Sequence, residues 1–161
     1  MMAEAAPVSN MRIRPLQRAD YPEIRSMLID FGLETGITTL DQPEYDFAHF
    51  DQILLRCEYS GASLVAQSDG EIAGMILALR ESDLWIRKII RMRELAWWVR
   101  PQYRGSSVGG RLWSTYIDRC EDLKIRRQIT GYTVSRLATS PPFDYERRGF
   151  RFIEATYMIG E

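Results

Sequence analysis

The chain has 161 residues, of which 45% are apolar and 27% charged, with a formal net charge of -1. Such a chain fits one globular domain, and its charge argues against a protein that binds nucleic acid by bulk phosphate neutralisation. It contains no run of about 18 apolar residues typical of a transmembrane helix. Its start lacks the features of a signal peptide, so we expect a flexible tail over residues 1–10, one domain over 11–161 and a cytoplasmic location.

The cysteines and the histidine give no indication of a metal site. Cys57 and Cys120 are the two cysteines, and each lies among apolar residues with helical spacing. This favours two buried thiols in a reducing compartment, with one disulfide left open as an alternative. His49 is the only histidine, and no Cys/His cluster has metal-ligand spacing, so we predict no bound metal.

The N-terminal part predicts a strand followed by two helices. Residues 11–16 alternate as in a short strand. Asp20 is typical of a helix N-cap, and Gly32 predicts the end of that helix. A second helix is predicted from Glu44 to about Tyr59, after the loop-like stretch GLETGITTLDQP.

Three strands are predicted in the middle of the chain. Asp69-Gly70 suits a two-residue hairpin turn between apolar runs. The stretch RESDLWIRKIIRMR has two interpretations, a polar loop with an exposed tryptophan or a strand extension. The strand MRELAWWV follows, and because alternate residues of a strand share a face, we expect Glu94 beside Trp98 and Trp97 on the opposite face.

The C-terminal part predicts a helix, a strand, a short helix and a closing strand. Apolar residues recur with helical spacing from Val108 over about four turns. QITGYTV predicts the next strand, PPFDYERRGF a short helix ended by Gly149, and RFIEATYMI the closing strand. This order of elements indicates a mixed sheet with helices packed on it.

The stretch PQYRGSSVGGRL places glycines, serines and an arginine where a strand turns into a helix. Glycines let a ligand approach the backbone closely, and the helix presents the positive end of its dipole. Together these features favour a phosphate or diphosphate site, with a plain glycine-rich connection as the alternative. A nucleotide-phosphate binder is a weaker interpretation, because the Gly-Lys-Ser/Thr of a P-loop is absent.

The segment VRPQYRGSSVGGRLW resembles the acyl-CoA-binding signature of the GNAT superfamily of N-acetyltransferases. Arg104, Val108 and Gly109 match Arg/Gln-x-x-Gly-x-Gly/Ala, whereas Ser107 stands where glycine is usual. Other segments resemble the family in order over residues 11–159, including FDYERRGF, which is similar to Phe-Tyr-Glu-Lys-x-Gly-Phe. The asparagine usual upstream of that segment is missing.

The resemblance implies an α/β (α+β) fold with a mixed, mostly antiparallel sheet of about six to seven strands and about four flanking helices. It implies direct acetyl transfer from acetyl-CoA to an amine, with Tyr145 as the acid that protonates the leaving thiolate. It also implies a set of residues that contact the cofactor: Trp98, Val99, Arg104, Gly105, Ser106, Ser107, Val108, Gly109 and Gly110.

Several alternatives stay open at this point. Glu94 is a candidate base, direct or through water, and a solvated edge glutamate is the other interpretation. His49 is a second candidate base, and Tyr145 also suits a packing role. The acceptor is a small-molecule or protein amine of unidentified class, and family analogy suggests a homodimer. A non-catalytic acyl-CoA-binding module of the same fold is the alternative function.

Overall fold

One mixed sheet of five strands runs through the structure, a computed structural model that describes residues 10–37, 45–136, 143–155 and 157. The strands lie side by side in chain order, and every neighbouring pair is antiparallel except the last, which is parallel. The strands are β1 (Arg12–Pro15), β2 (Leu64–Ser68), β3 (Glu71–Ser82), β4 (Ile90–Val99) and β5 (Gly131–Thr133).

Three α-helices flank this sheet in the described ranges: α1 (Tyr21–Thr35), α2 (Phe47–Ser60) and α3 (Val108–Ile125). Gly32, the predicted end of α1, is buried inside the helix, and the left-handed residue that ends it is Gly36, at φ +71°. Asp46 caps α2, whereas the predicted start at Glu44 lies outside the described residues. The 18 residues of α3 make about five turns, one more than predicted.

The two faces of the sheet carry separate cores. On one face, α1 and α2 pack through residues such as Ile24 and Leu54. On the other, α3 packs through Leu112 and its neighbours. Cys57 and Cys120 are buried free thiols, one in each core, so the interpretation as buried thiols is confirmed and the disulfide alternative is wrong. No helix within the described ranges is long and apolar enough to span a membrane.

Two hairpins join β2, β3 and β4. Asp69 and Gly70 both have positive φ, at +50° and +88°, which confirms the predicted two-residue turn. In the second hairpin both interpretations hold, because β3 extends to Ser82 and Trp85 is exposed in the turn that follows. The carboxylate of Asp83 orders this turn by accepting from the backbone N–H groups of Trp85 and Ile86.

The described elements differ from the prediction in number. Five strands and three α-helices stand in place of the predicted six to seven strands and four helices. Residues 151–155 of the predicted closing strand have no regular structure, and the predicted short helix is a single 3₁₀ turn, Glu146–Arg148, ended by Gly149. An alternating pattern forms a strand only where a neighbouring edge accepts its backbone hydrogen bonds. The predicted tail over residues 1–10 lies almost wholly outside the described residues.

Candidate active site

A bulge in β4 decides which way its functional side chains face. Ala78 of β3 pairs with Glu94 and Leu77 pairs with Ala96, so Leu95 is an extra residue without a partner. Cross-strand partners share a face of the sheet. Glu94 therefore lies on the α3 face with Ala78, whereas Trp98, opposite Met75, lies on the α1–α2 face.

The expectation that Glu94 lies beside Trp98 is therefore wrong. It assumed unbroken alternation along β4, and one extra residue reverses the alternation for everything beyond it. The prediction that Trp97 and Trp98 face opposite sides is confirmed, because both lie beyond the bulge. Trp97 packs on the α3 face, where its ring stacks on Trp113 at a centroid distance of 5.1 Å.

Glu94 is a buried carboxyl, with 6% of its surface exposed, so the interpretation as a solvated edge residue is wrong. Burial raises its pKa to about 7, although a hydrogen bond from Ser135 N–H and the charge of Arg93 act in the opposite direction. The N–H of Ser135 donates to Glu94 Oε2 at 2.8 Å. The carboxyl therefore changes charge near neutral pH inside the α3 face of the protein.

β4 and β5 part beside this carboxyl. Their register has three pairs and ends at Arg93 with Thr133. Two residues later, Ser135 N–H turns to the side chain of Glu94 and not to the backbone of β4. The stretch from Glu94 to Val99 extends beyond the last pair, and no described strand covers this edge. The carbonyl oxygens of Glu94 and Val99 accept from the side chains of Ser135 and Arg104, whereas the backbone groups between them that point away from β3 have no described strand to pair with.

The glycine-rich turn lies where β4 leads into α3. Gly105 has φ +78°, a conformation that a residue with a side chain rarely adopts. The hydroxyl of Ser106 donates to Tyr103 O and accepts from Val108 N–H, so this serine orders the turn from within. Ser107 is the N-cap of α3, but its side chain makes no capping hydrogen bond.

The first turn of α3 has donors and space for an anion. The N–H groups of Gly109 and Gly110 donate to no described residue. A Cβ placed at Gly105 or Gly110 would meet nothing within 4 Å, and one at Gly109 would make only ordinary contact with Val99. Bare N–H groups at the positive end of a helix dipole are suited to a phosphate.

Arg104 does not project freely into this turn. Its Nη2 donates to Glu34 Oε2 at 2.7 Å and its Nε to Val99 O at 2.9 Å, and its guanidinium lies over the ring of Trp98. The indole N–H of Trp98 donates to the same carboxylate oxygen at 3.1 Å. The hydrogen bond from Arg104 is the main cause that holds the pKa of Glu34 below its usual range.

Tyr145 lies in an aromatic cluster on the α3 face. Its ring centroid is 4.8 Å from that of Phe143 and 5.8 Å from that of Trp113. Its hydroxyl donates to Ser135 O at 3.4 Å, which is long for a hydrogen bond. Burial is the main cause that raises the pKa of Tyr145, and the charge of Glu94 adds to it. Tyr145 and Glu94 thus meet at Ser135.

His49 lies apart from this group. It is exposed in the first turn of α2, where its backbone N–H donates to the N-cap side chain of Asp46. Helix α2 packs on the face of the sheet opposite to Glu94 and Tyr145. The structure therefore brings together Glu94, Tyr145 and the β4 edge, and leaves His49 outside that arrangement.

Comparison with known proteins decides the family. The sequence profile described as "Acetyltransferase (GNAT) family" matches residues 18–150, which is most of the chain. This chain belongs to the GNAT acetyltransferase family. GNAT proteins are generally acyltransferases that use acetyl-CoA. No curated protein sequence matches the chain.

Solved GNAT structures share this fold at low sequence identity. A predicted acetyltransferase from Clostridium acetobutylicum, crystallised with acetyl-CoA, has a TM-score of 0.68 at 12% identity, covering 94% of this chain and 96% of that one. Glucosamine-6-phosphate N-acetyltransferase from Arabidopsis thaliana has 0.61 at 16%, covering 94% and 98%. Ribosomal-protein-alanine N-acetyltransferase from Brucella melitensis has 0.60 at 16%, covering 93% and 98%. Identities this low show the GNAT fold alone.

Three residues of the candidate site were not among those predicted from the sequence. Gly74 on β3 lies under α3, and the signal that predicts it is an isolated glycine within a strand pattern. Glu34 contacts Trp98 and Arg104 from a distance of 64 and 70 residues along the chain. Ser135 takes part through its backbone groups. Neither of the last two has a local sequence signal.

Proposed function

We propose that this GNAT protein is an acetyl-CoA-dependent N-acetyltransferase that moves an acetyl group to a primary amine by direct attack on the thioester. The observation that carries the proposal is the alignment of three features on one edge of the sheet. The bare N–H groups at the start of α3 follow the end of β4, the uncovered edge runs back from Val99 to Glu94, and the hydroxyl of Tyr145 bonds to Ser135, which contacts Glu94. A cofactor whose extended arm separates a diphosphate from a terminal thioester suits this arrangement.

The residues of the turn fit the diphosphate of coenzyme A. The N–H groups of Gly109 and Gly110 would bind its oxygens, and the absence of side chains at Gly105 and Gly110 leaves space for it. Backbone groups between Glu94 and Val99 would hold the pantetheine arm. Acetyl-CoA supplies the acetyl group as a thioester. Trp98 faces the other side of the sheet, so it would act by fixing Glu34 and Arg104 and not by direct contact.

Tyr145 is proposed as the acid that protonates the leaving thiolate. Acids in proteins work only if they hold their proton at the working pH. The raised pKa of Tyr145 keeps the phenol protonated throughout the neutral range. Among the described residues its hydroxyl has one hydrogen-bond partner, Ser135 O at 3.4 Å, and a bond this long costs little to exchange for one to the leaving sulfur.

Glu94 is a candidate for the base that takes the proton from the amine. Glu94 is buried and lies on the side of Tyr145, so a direct contact with an amine needs an approach from the same face. Action through a water molecule is the other route. The acceptor class, a homodimer and the cytoplasmic location stay predictions.

Release of free thiol from acetyl-CoA tests the proposal. We expect the protein to release CoA thiol with at least one member of a panel of primary amines, and Tyr145→Phe to lower kcat by roughly 100-fold. Binding of CoA, measured by calorimetry, should change little in that variant. Tyr59→Phe is the matched control, since Tyr59 is exposed at the far end of α2, and it should behave like the wild type.

A non-catalytic acyl-CoA-binding module is the second candidate function. The observation that favours it concerns Arg104. Its guanidinium forms a salt bridge with Glu34 and donates a hydrogen bond to the carbonyl oxygen of Val99, so its charge is already neutralised. CoA binding without thiol release for any amine would select this function. Failure to bind CoA at all would contradict both candidates.

A further inference from the structure

The burial of the Glu94 carboxyl is unfavourable for folding. Its side chain is buried, yet it forms no salt bridge with any described residue, and its one side-chain hydrogen bond comes from Ser135 N–H. A buried carboxyl destabilises a protein unless it is paired or holds a proton. The backbone oxygen of Glu94 also accepts from the hydroxyl of Ser135, at 3.5 Å. Glu94 and Ser135 are therefore joined at two points, just beyond the last pair of β4 with β5.

Ser135 also contacts Tyr145. Ser135 presents its N–H to the carboxyl of Glu94 and its carbonyl oxygen to the hydroxyl of Tyr145. Glu94 and Tyr145 come from positions 51 residues apart by their numbers, and Ser135 connects them within one residue. A shift of Ser135 would therefore move its carbonyl oxygen, which accepts the hydrogen bond from the Tyr145 hydroxyl.

We propose that Glu94 is a positioning residue that acts on Tyr145 through Ser135. By holding the N–H of Ser135, the carboxyl fixes the carbonyl oxygen to which the Tyr145 hydroxyl donates, and so fixes the position of that hydroxyl. The inference rests on the proposed function, in which Tyr145 is the acid. It assigns Glu94 a role other than that of a base for the amine.

The charge of Glu94 adds an electrostatic link to the geometric one. An ionised Glu94 disfavours tyrosinate and so raises the pKa of Tyr145, while Arg136 lowers it. Tyr116 from α3 and Arg93 from β4 are the other ionisable groups that interact with Glu94. Since the pKa of Glu94 is about 7, its loss of charge on acidification should lower the pKa of Tyr145.

Nuclear magnetic resonance of the tyrosine ring carbons tests the link without any need for turnover. With ζ-¹³C-labelled tyrosine and Tyr145→Phe to assign the signal, we expect Glu94→Gln to lower the pH at which Tyr145 titrates and to shift its signal. Glu71→Gln is the matched control, because Glu71 accepts from Tyr103 and not from Tyr145. An unchanged Tyr145 signal and titration in Glu94→Gln would overturn the proposal.

Kinetics then separates a positioning residue from a base. We expect Glu94→Gln to lower kcat about tenfold with little change in KM for acetyl-CoA, and to move the alkaline limb of the kcat profile to lower pH. Glu94→Asp keeps the charge but shortens the reach to Ser135, so its kcat should fall while the Tyr145 titration stays high. If Glu94→Gln abolishes the limb of the kcat profile near pH 7 and leaves the titration of Tyr145 unchanged, Glu94 acts as a base, and this result refutes our assignment. If the wild-type protein shows no turnover, the proposed function is refuted. The resonance experiment then still tests whether Glu94 acts on Tyr145.

Discussion

Gly74 lies on β3 opposite Val99, where the first turns of α3 cross the sheet. A Cβ at this position would lie 3.0 Å from Leu112 Cδ1, 3.1 Å from the backbone oxygen of Trp98 and 3.2 Å from Val108 Cγ1. The side chains can shift slightly, but a backbone oxygen in a strand cannot move without disturbing its ladder. The missing side chain of Gly74 therefore sets how closely α3 approaches the sheet, and with it the position of the glycine-rich turn.

We predict that Gly74→Ala lowers the free energy of unfolding by roughly 1–3 kcal/mol, because the methyl group overpacks this contact. CoA binding should weaken as well, since the start of α3 moves away from β4. Urea unfolding and calorimetry measure the two effects. Gly131→Ala is the matched control, a strand glycine at which a Cβ would meet nothing within 4 Å. Equal losses of stability in the two variants would contradict the prediction.

The sequence predicted those elements whose conformation is determined by a single short segment. Asp69-Gly70 predicted its turn because few residue pairs adopt two successive positive φ angles. The glycine-rich stretch predicted a helix start with open donors. The bulge in β4 was not predictable, since it is a property of the pairing between β3 and β4, and Leu95 is an ordinary strand residue.

The start of α3 allows stability and binding to be separated. Ser107 occupies the N-cap without a side-chain capping bond. We predict that Ser107→Asp raises the unfolding free energy by about 0.3–1 kcal/mol, because a carboxylate suits the positive end of the helix dipole. The same charge repels a diphosphate, so the Kd for CoA should rise at least tenfold. Thermal unfolding and calorimetry measure these opposite effects. Unchanged CoA binding would show that the diphosphate does not bind at this turn.

In the whole molecule, the residues of the candidate site lie on both faces of the sheet. The α3 face contains Glu94, Tyr145 and the start of the proposed cofactor site, whereas the α1–α2 face contains Trp98 and Glu34. Arg104 crosses the end of β4 and ties the two faces together.

Global stability should report the burial of Glu94. The folded protein holds the pKa of Glu94 at about 7 against an ordinary value of 4.5, so between these values the folded state binds a proton that the unfolded state has lost. The contribution is therefore present at low pH and is lost as the pH rises. We predict that the wild type loses up to about 3 kcal/mol of unfolding free energy between pH 5 and pH 8 relative to Glu94→Gln. Urea titrations that give parallel pH profiles for the two proteins would disprove this prediction.

The sequence by itself determined the order of elements from β1 to β5, the tight hairpin, the glycine-rich helix start and the family signature around Arg104 and Gly109. These features depend on backbone preferences and periodicity within a few residues, which the chain carries locally. Only the tertiary structure decided that Glu94 and Tyr145 meet at Ser135, that Arg104 contacts a carboxylate 70 residues away and that residues 151–155 form no strand. Such outcomes depend on which distant segments pack or pair together, and local sequence does not specify that choice.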